Sequence, residues 1–458
     1  MRHLLKFACI LIIALIVACE QEEDQFTSDP SVKLRFSADS IVFDTLFTSV
    51  GSITKRLWIY NDFDNAIRIT SATLRNGSNS NYSVILNGKE GDEIRNTPIY
   101  GKDSVQALVT VNINPKDENL PFLVNDFLDF TTNGNQQFVN LVAWGQDAHF
   151  IKKGRLTCDQ VWTNDRPYVL LDSVFVEEGC KLGITAGARI YANVNAALIV
   201  SGSLEANGTF EERILFTNSR QDEDYRNAPG QWRGILFAET SHNNTINCTD
   251  IRNAVTGIWL GTPDDDTEAD LVLSNSKIEN MSNFGLVAFT SDVYAYNTLI
   301  NNCGQYALAN LAGGNYRYEH CTFANFSFDF FREDAAVAFS DNLPISADEI
   351  LVGDFQLDMV NSIVWGSLKE EIIFSDAGEQ RFELNLSNNI FKSNDALISG
   401  SNNILNEDPK FLDPRNYNYS LDTLSIAKDT GAQLGILQDL EGKPRDSKPD
   451  IGAFERIE

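Results

Sequence analysis

The 458-residue chain is poor in basic side chains, with 36 Lys and Arg against 64 Asp and Glu, and its formal charge is −28. Phosphate binding needs clustered cations, so this deficit argues against nucleic acid as a partner and against electrostatic adhesion to anionic lipid. Histidine is scarce too, with four in all and one of them at position 3. That leaves little room for a multi-histidine metal site or a His-based triad. Seven cysteines at irregular spacing make no disulfide framework. Those after Cys19 read as small buried hydrophobes, with one bridge, Cys158 to Cys180, left open. The apolar run Phe7 to Ala18 has twelve residues, short of the roughly 20 that a spanning helix needs. What remains is an ordinary globular mix, 43% hydrophobic and 22% charged, long enough for about two to four domains.

Arg2, His3 and Lys6 ahead of that run give the outline of a secretory leader over residues 1–18. It ends in Ile16-Val17-Ala18-Cys19, which resembles the lipobox of bacterial lipoproteins. The resemblance implies that Cys19 is lipidated and becomes the first residue of a mature chain of charge −30. Glu20-Gln21-Glu22-Glu23-Asp24 opens an acidic tether over 19–31 that anionic headgroups would repel. It resembles the acidic export signal of surface lipoproteins in Bacteroidota-type envelopes. The implied location is the outer membrane, facing the cell surface, with the periplasmic face as the alternative.

Residues 32–148 alternate short strand patterns with turn signals such as Asn76-Gly77, Asn87-Gly88 and Asn133-Gly134. About eight strands are expected, including Ser40–Phe47, Ile67–Leu74 and Tyr82–Leu86, in an immunoglobulin-like β-sandwich. Its plain role is a spacer.

Beyond residue 150 a repeat emerges, anchored on Phe216, Ile251, Ile278, Ile300 and Phe323. Two residues after each anchor stands an asparagine: Asn218, Asn253, Asn280, Asn302 and Asn325. Asparagine tolerates left-handed corners and can bond to its copies along a stack. Three residues before the anchors, Asn275 and Asn297 form a shorter column, with Cys248 and His320 at equivalent points. From Ile251 the anchors lie 27, 22 and 23 residues apart, the arithmetic of a parallel β-helix. The repeat continues at Ile363 and Ile390, where Trp365 and Lys392 would replace the ladder asparagine, after an inserted loop near 332–353. Residues 150–458 should make about 11–13 coils, a rod of roughly 50–60 Å, with the tail from Asp408 capping its open end. The whole chain is therefore expected to be all-β.

Three phrases resemble β-helix proteins of the pectate-lyase-like superfold: Val176 to Ile190 with Gly202 to Thr209, Gly230 to Phe237, and the ending Asp450-Ile451-Gly452-Ala453-Phe454-Glu455. The resemblance implies a right-handed parallel β-helix, and polysaccharide lyase or hydrolase chemistry where a site is present. Ca²⁺ is the implied cofactor, and Asp264-Asp265-Asp266 is the candidate site, read first as a solvated loop. Trp232 and Trp259 are expected to pack. The outward rows of one sheet are predicted as Val272, Tyr294, Arg317 and Ser274, Tyr296, Glu319. Aromatic faces beside polar groups suit a saccharide, so Tyr294, Tyr296, Arg317 and Glu319 are the candidate ligand-binding residues; the alternative is that the tyrosines lie under the inserted loop. Arg317, Glu319 and His320 would be the acid/base candidates, although His320 falls in the inner column.

The favoured function is a lipid-anchored, non-catalytic scaffold that binds glycan or an envelope protein. The alternatives are a polysaccharide lyase or hydrolase, and a structural or adhesive rod. A body this acidic repels acidic polysaccharides unless cations bridge them.

Overall fold

The computed structural model describes residues 25–263, 266, 268–326, 328, 331–346, 349–398 and 402–456. The leader, Cys19, Asp264 and Asp265 lie outside them. The chain forms two compact units that divide after Asp147. Both are built from strands, and among the described residues no helix is long and apolar enough to cross a membrane.

The first unit has two five-stranded sheets. One runs in the order 35–36, 55–60, 104–111, 82–86, 89–90, all antiparallel. The other runs 40–47, 135–146, 122–132, 67–74, 93–99, with only its first pair parallel. Leu57, Ile59 and Val109 from one sheet share a core with Phe43, Phe130 and Leu141 from the other. The alternation Ile67-Arg68-Ile69-Thr70 is buried-exposed-buried-exposed, as a half-buried strand requires. Asn87-Gly88 and Asn133-Gly134 take positive φ at both positions and close tight hairpins. The edge strand Glu93–Ile99 escaped the sequence pattern, since Glu93, Arg95 and Pro98 interrupt its apolar run. It bonds to one neighbour only, and an edge tolerates both charge and proline.

The second unit is a parallel β-helix. Each coil contributes one strand to each of three stacked parallel sheets of eleven, nine and nine strands. Among the described residues that makes nine complete coils, with two further strands in the first sheet. At about 4.8 Å per step the first sheet is about 48 Å long. The coil number falls below the 11–13 expected because residues 408–456 do not coil.

In the first sheet Ile190, Phe216, Ile251, Ile278, Ile300, Phe323, Val364 and Phe391 pair in one continuous inward column. All are buried, and each such side chain contributes about 1.5–3 kcal/mol relative to exposure. Two anchors are thereby corrected. Val364 and Phe391 face inward, while Ile363 and Ile390 face outward, so the ladder positions are Gly366 and Ser393 rather than Trp365 and Lys392. A slip of one residue exchanges the faces of a strand. Here both faces are apolar, because the tail covers Ile363 and Ile390 with Leu421, Ala427 and Ile451.

That covering is the second correction. The tail from Asp408 lies along the outer face of the first sheet, not across the open end. Asn361 receives a hydrogen bond from the Ala432 amide (2.8 Å) and donates one to its carbonyl (2.7 Å). Asn297 donates to the Gln438 carbonyl, and the Ala453 amide donates to Thr322 Oγ1. Buried Arg445 pairs with Glu455 at 3.0 Å and donates to Asn297 Oδ1. Gly452 sits at φ +101° with Ile363 Cδ1 only 2.7 Å from where a Cβ would lie, which explains the glycine in the terminal phrase. At the end of the last coil Ile398 and Leu405 pack on the main core.

The insertion is an antiparallel hairpin, Asn342–Pro344 with Ile350–Val352, between strands of the second and third sheets. Cys158 and Cys180 form a disulfide that joins the first two coils, and Cys248, Cys303 and Cys321 are free and buried.

Candidate functional site

The third sheet carries the candidate residues on its outer face. Register places Val272, Tyr294, Arg317 and Asp358 in one row, and Ser274, Tyr296, Glu319 and Val360 in the next. The inward rows between them, Leu273–Ala295–Tyr318 and Leu271–Val293–Tyr316, are buried as the repeat predicts. Alternation along each strand fixes which side chains emerge.

The four residues meet. Tyr294 and Tyr296 are 5.4 Å apart between ring centroids, and the Arg317 guanidinium lies 4.9 Å from the Tyr294 ring centre. Arg317 donates to Glu319 Oε1 through Nε (3.1 Å) and Nη2 (2.6 Å), and the Tyr294 hydroxyl donates to Oε2 (2.8 Å). Glu319 is therefore only 5% exposed, although its row faces outward. Burial, then the neighbouring carboxylate, pushes the Tyr294 hydroxyl well above the usual phenol range. The hydrogen bond to Glu319 raises the Arg317 guanidinium further.

Beside this cluster a cleft of about 410 Å³ is lined by Tyr294, Arg317, Asp292, Asn315, Gln356 and Asp358, among others. Asp292 accepts from the Asn315 amide at 2.8 Å and from its side chain at 2.9 Å. These neighbours were missed in the sequence. Their signal was the position just before Leu271, Val293 and Tyr316, which reads Asp270, Asp292, Asn315. None of the described residues of the inserted hairpin lines the cleft.

His320 stands apart, with φ +51° at a corner of the coil. Its Nε2 is 3.0 Å from Asn361 Nδ2, and no bond joins it to Glu319. Burial first, and the nearby Arg445 second, lower its pKa from 6.5 to about 3. A histidine that is neutral when folded and protonated when unfolded adds stability above about pH 6.5 and loses it progressively as pH falls toward about 3. Thermal melts between about pH 7 and pH 4 should show this loss, and His320→Asn should flatten it. An unchanged slope in that variant would refute the assignment.

The asparagine ladder is a chain of side-chain amides. Asn253 donates to Asn218 Oδ1 (2.8 Å), Asn280 to Asn253 Oδ1 (2.7 Å), and Asn302 to Asn280 Oδ1 (2.9 Å). Asn325 leaves the chain, accepting from the Cys303 amide and donating to the Gln305 carbonyl. Asp266, the described member of the acidic run, accepts from the Glu268 amide at 2.7 Å. Among the described residues no three His, Cys, Asp or Glu side chains converge as a metal site. Trp232 is buried and donates to the Arg252 carbonyl. Trp259, expected to pack, is 41% exposed on the outer face of the second sheet, beside Phe289; it occupies the outward middle position of a three-residue strand.

Three stacked parallel sheets with an asparagine ladder running between successive coils define a β-helix protein. The family described as "Right handed beta helix region" matches residues 169–328. This agrees with the stack and supports a right-handed coil. No curated protein matches the chain. Among solved structures, a family 123 glycoside hydrolase from Clostridium perfringens, studied for glycolipid glycan hydrolysis, is 8% identical over 25% of this chain and 26% of its own, with a TM-score of 0.18. The PapD-like domain 7 of human CEP192 is 16% identical over 26% of this chain and 89% of its own, with a TM-score of 0.17. The chain spans about a quarter of the length of the hydrolase, and neither likeness bears on function.

Proposed function

We propose that this protein is a lipid-anchored envelope protein whose β-helix holds a glycan at the Tyr294 cleft without cleaving it. The N-terminal unit serves in this reading as an immunoglobulin-like spacer above a membrane anchor at Cys19. The observation that carries it is the state of Glu319. Both carboxylate oxygens are engaged, one by Arg317 and one by the Tyr294 hydroxyl. A general acid or base needs an oxygen within reach of the substrate proton, and this one is spent holding a tyrosine and an arginine in place. What the cluster offers instead is an aromatic face beside fixed polar groups, which suits sugar rings and their hydroxyls.

The test is retention on immobilised neutral and acidic glycans, together with absorbance and reducing-end assays for cleavage. Tyr294→Ala should weaken retention about tenfold or more, the scale of one aromatic contact with its hydrogen bond. No product should form with or without Ca²⁺. Turnover lost in Glu319→Gln would establish the lyase or hydrolase alternative. Cys19→Ser should release the protein from membranes, and protease shaving of intact cells should remove the wild type. A protected wild type would place it on the periplasmic face.

A further inference from the structure

We infer a second ligand site, for a single sugar unit carrying a carboxylate, in the recess between the first sheet and the C-terminal tail. The recess has a volume of about 280 Å³ and is lined by Arg252, Lys277, Glu279, Asn227, Asn416 and Tyr417, with the ladder residues Asn253 and Asn280. It falls just below the roughly 300–1,000 Å³ of drug-sized sites, so it suits one sugar rather than a chain.

Its charge sets it apart from the rest of a −28 molecule. Lys277 is the register partner of Asp250, yet Asp250 is taken by Arg213 at 2.7 Å and approached by Arg252 at 3.6 Å. Among the described residues Lys277 has no carboxylate within 4.0 Å, and its one close aromatic neighbour is Phe454, at 5.9 Å. Glu279 is buried and ion-paired: it accepts from Asn301 Nδ2 at 3.1 Å, and its other oxygen lies 3.1 Å from Arg252 Nε. Arg252 remains 44% exposed along its side chain. The recess thus presents an uncommitted ammonium and a partly open guanidinium beside amide side chains. A carboxylate would take the two cations, and ring hydroxyls would meet Asn227 and Asn416. A long polyanion would be repelled by the surrounding charge, while one acidic unit at a local cationic spot would not.

This site shares no residue with the Tyr294 cleft, so the two readings stand or fall separately. Calorimetric titration of the full-length protein in detergent, with D-glucuronate, D-glucose and sodium sulfate, tests it. Glucuronate should bind with one equivalent, and glucose about tenfold or more weaker. Lys277→Met should weaken glucuronate by a similar factor, Lys277→Arg should largely restore it, and Tyr294→Ala should leave it unchanged. Because Lys277 holds no ion pair among the described residues, the melting temperature of Lys277→Met should match wild type, so a loss of binding is not a loss of fold. Equal binding of glucose and glucuronate, sulfate matching glucuronate, or an unaffected Lys277→Met would each overturn the assignment.

Discussion

Arg332→Ala is expected to destabilise the β-helix by about 3–5 kcal/mol, the range for removing one partner of a buried ion pair. Arg332 and Glu371 are among the least accessible charges among the described residues, with side chains 1% and 0% exposed. They join through two bonds of 2.8 Å. The Glu371 carboxylate also accepts from the Ala336 and Leu368 amides, and Arg332 donates to the Asp334 and Asn325 carbonyls. Alanine at 332 would leave a carboxylate buried without its counter-charge. The double variant Arg332→Met/Glu371→Gln should recover part of the loss, since neither position is then charged and one acceptor remains. Urea denaturation followed by the β-helix transition measures both. A loss below about 1 kcal/mol in the single variant would show that water reaches the pair.

The second large effect is expected at the middle of the ladder. Asn280→Ala should cost about 3–4 kcal/mol: its Nδ2 donates to Asn253 Oδ1 and the Asn227 carbonyl, and its Oδ1 accepts from Asn302. It also occupies φ +66°, where alanine is strained by about 1–2 kcal/mol. Asn280→Gly removes the same bonds without that strain, so the gap between the two variants separates the contributions. Because coils contact chiefly their neighbours, amide exchange should quicken most in the coils of Asn253 and Asn302. Uniform quickening along the rod would contradict a ladder that acts locally.

These residues also show what the sequence made legible. The ladder, the inward rows and the outward placement of Tyr294 and Arg317 follow from one periodicity applied to consecutive coils, where the chain is nearly regular. Legibility fails where a residue's environment comes from far along the chain. Ile363 looked like an anchor because the tail, some 60–90 residues later, makes its outward face apolar. Glu319 looked exposed because nothing in the spacing says that Arg317 and Tyr294 fold over it. Gly366 breaks the asparagine pattern for a reason visible only in space. A Cβ there would lie 2.3 Å from both the Asn325 carbonyl and Glu371 Oε1, so the buried ion pair takes over where the ladder ends.

The disulfide between Cys158 and Cys180 has a mechanical consequence. A solenoid pulled from one end should peel coil by coil, since each coil is held mainly by the next. Here the bond closes a 22-residue separation between the first two coils, so tension arriving from the N-terminal side meets a covalent stop before it can extend that stretch. In single-molecule pulling, the first length gain from the β-helix should omit those residues, and reductant should restore them as a separate low-force step. Downstream, the strap of Asn297, Asn361 and Thr322 onto the tail sets the load in shear across several coils at once.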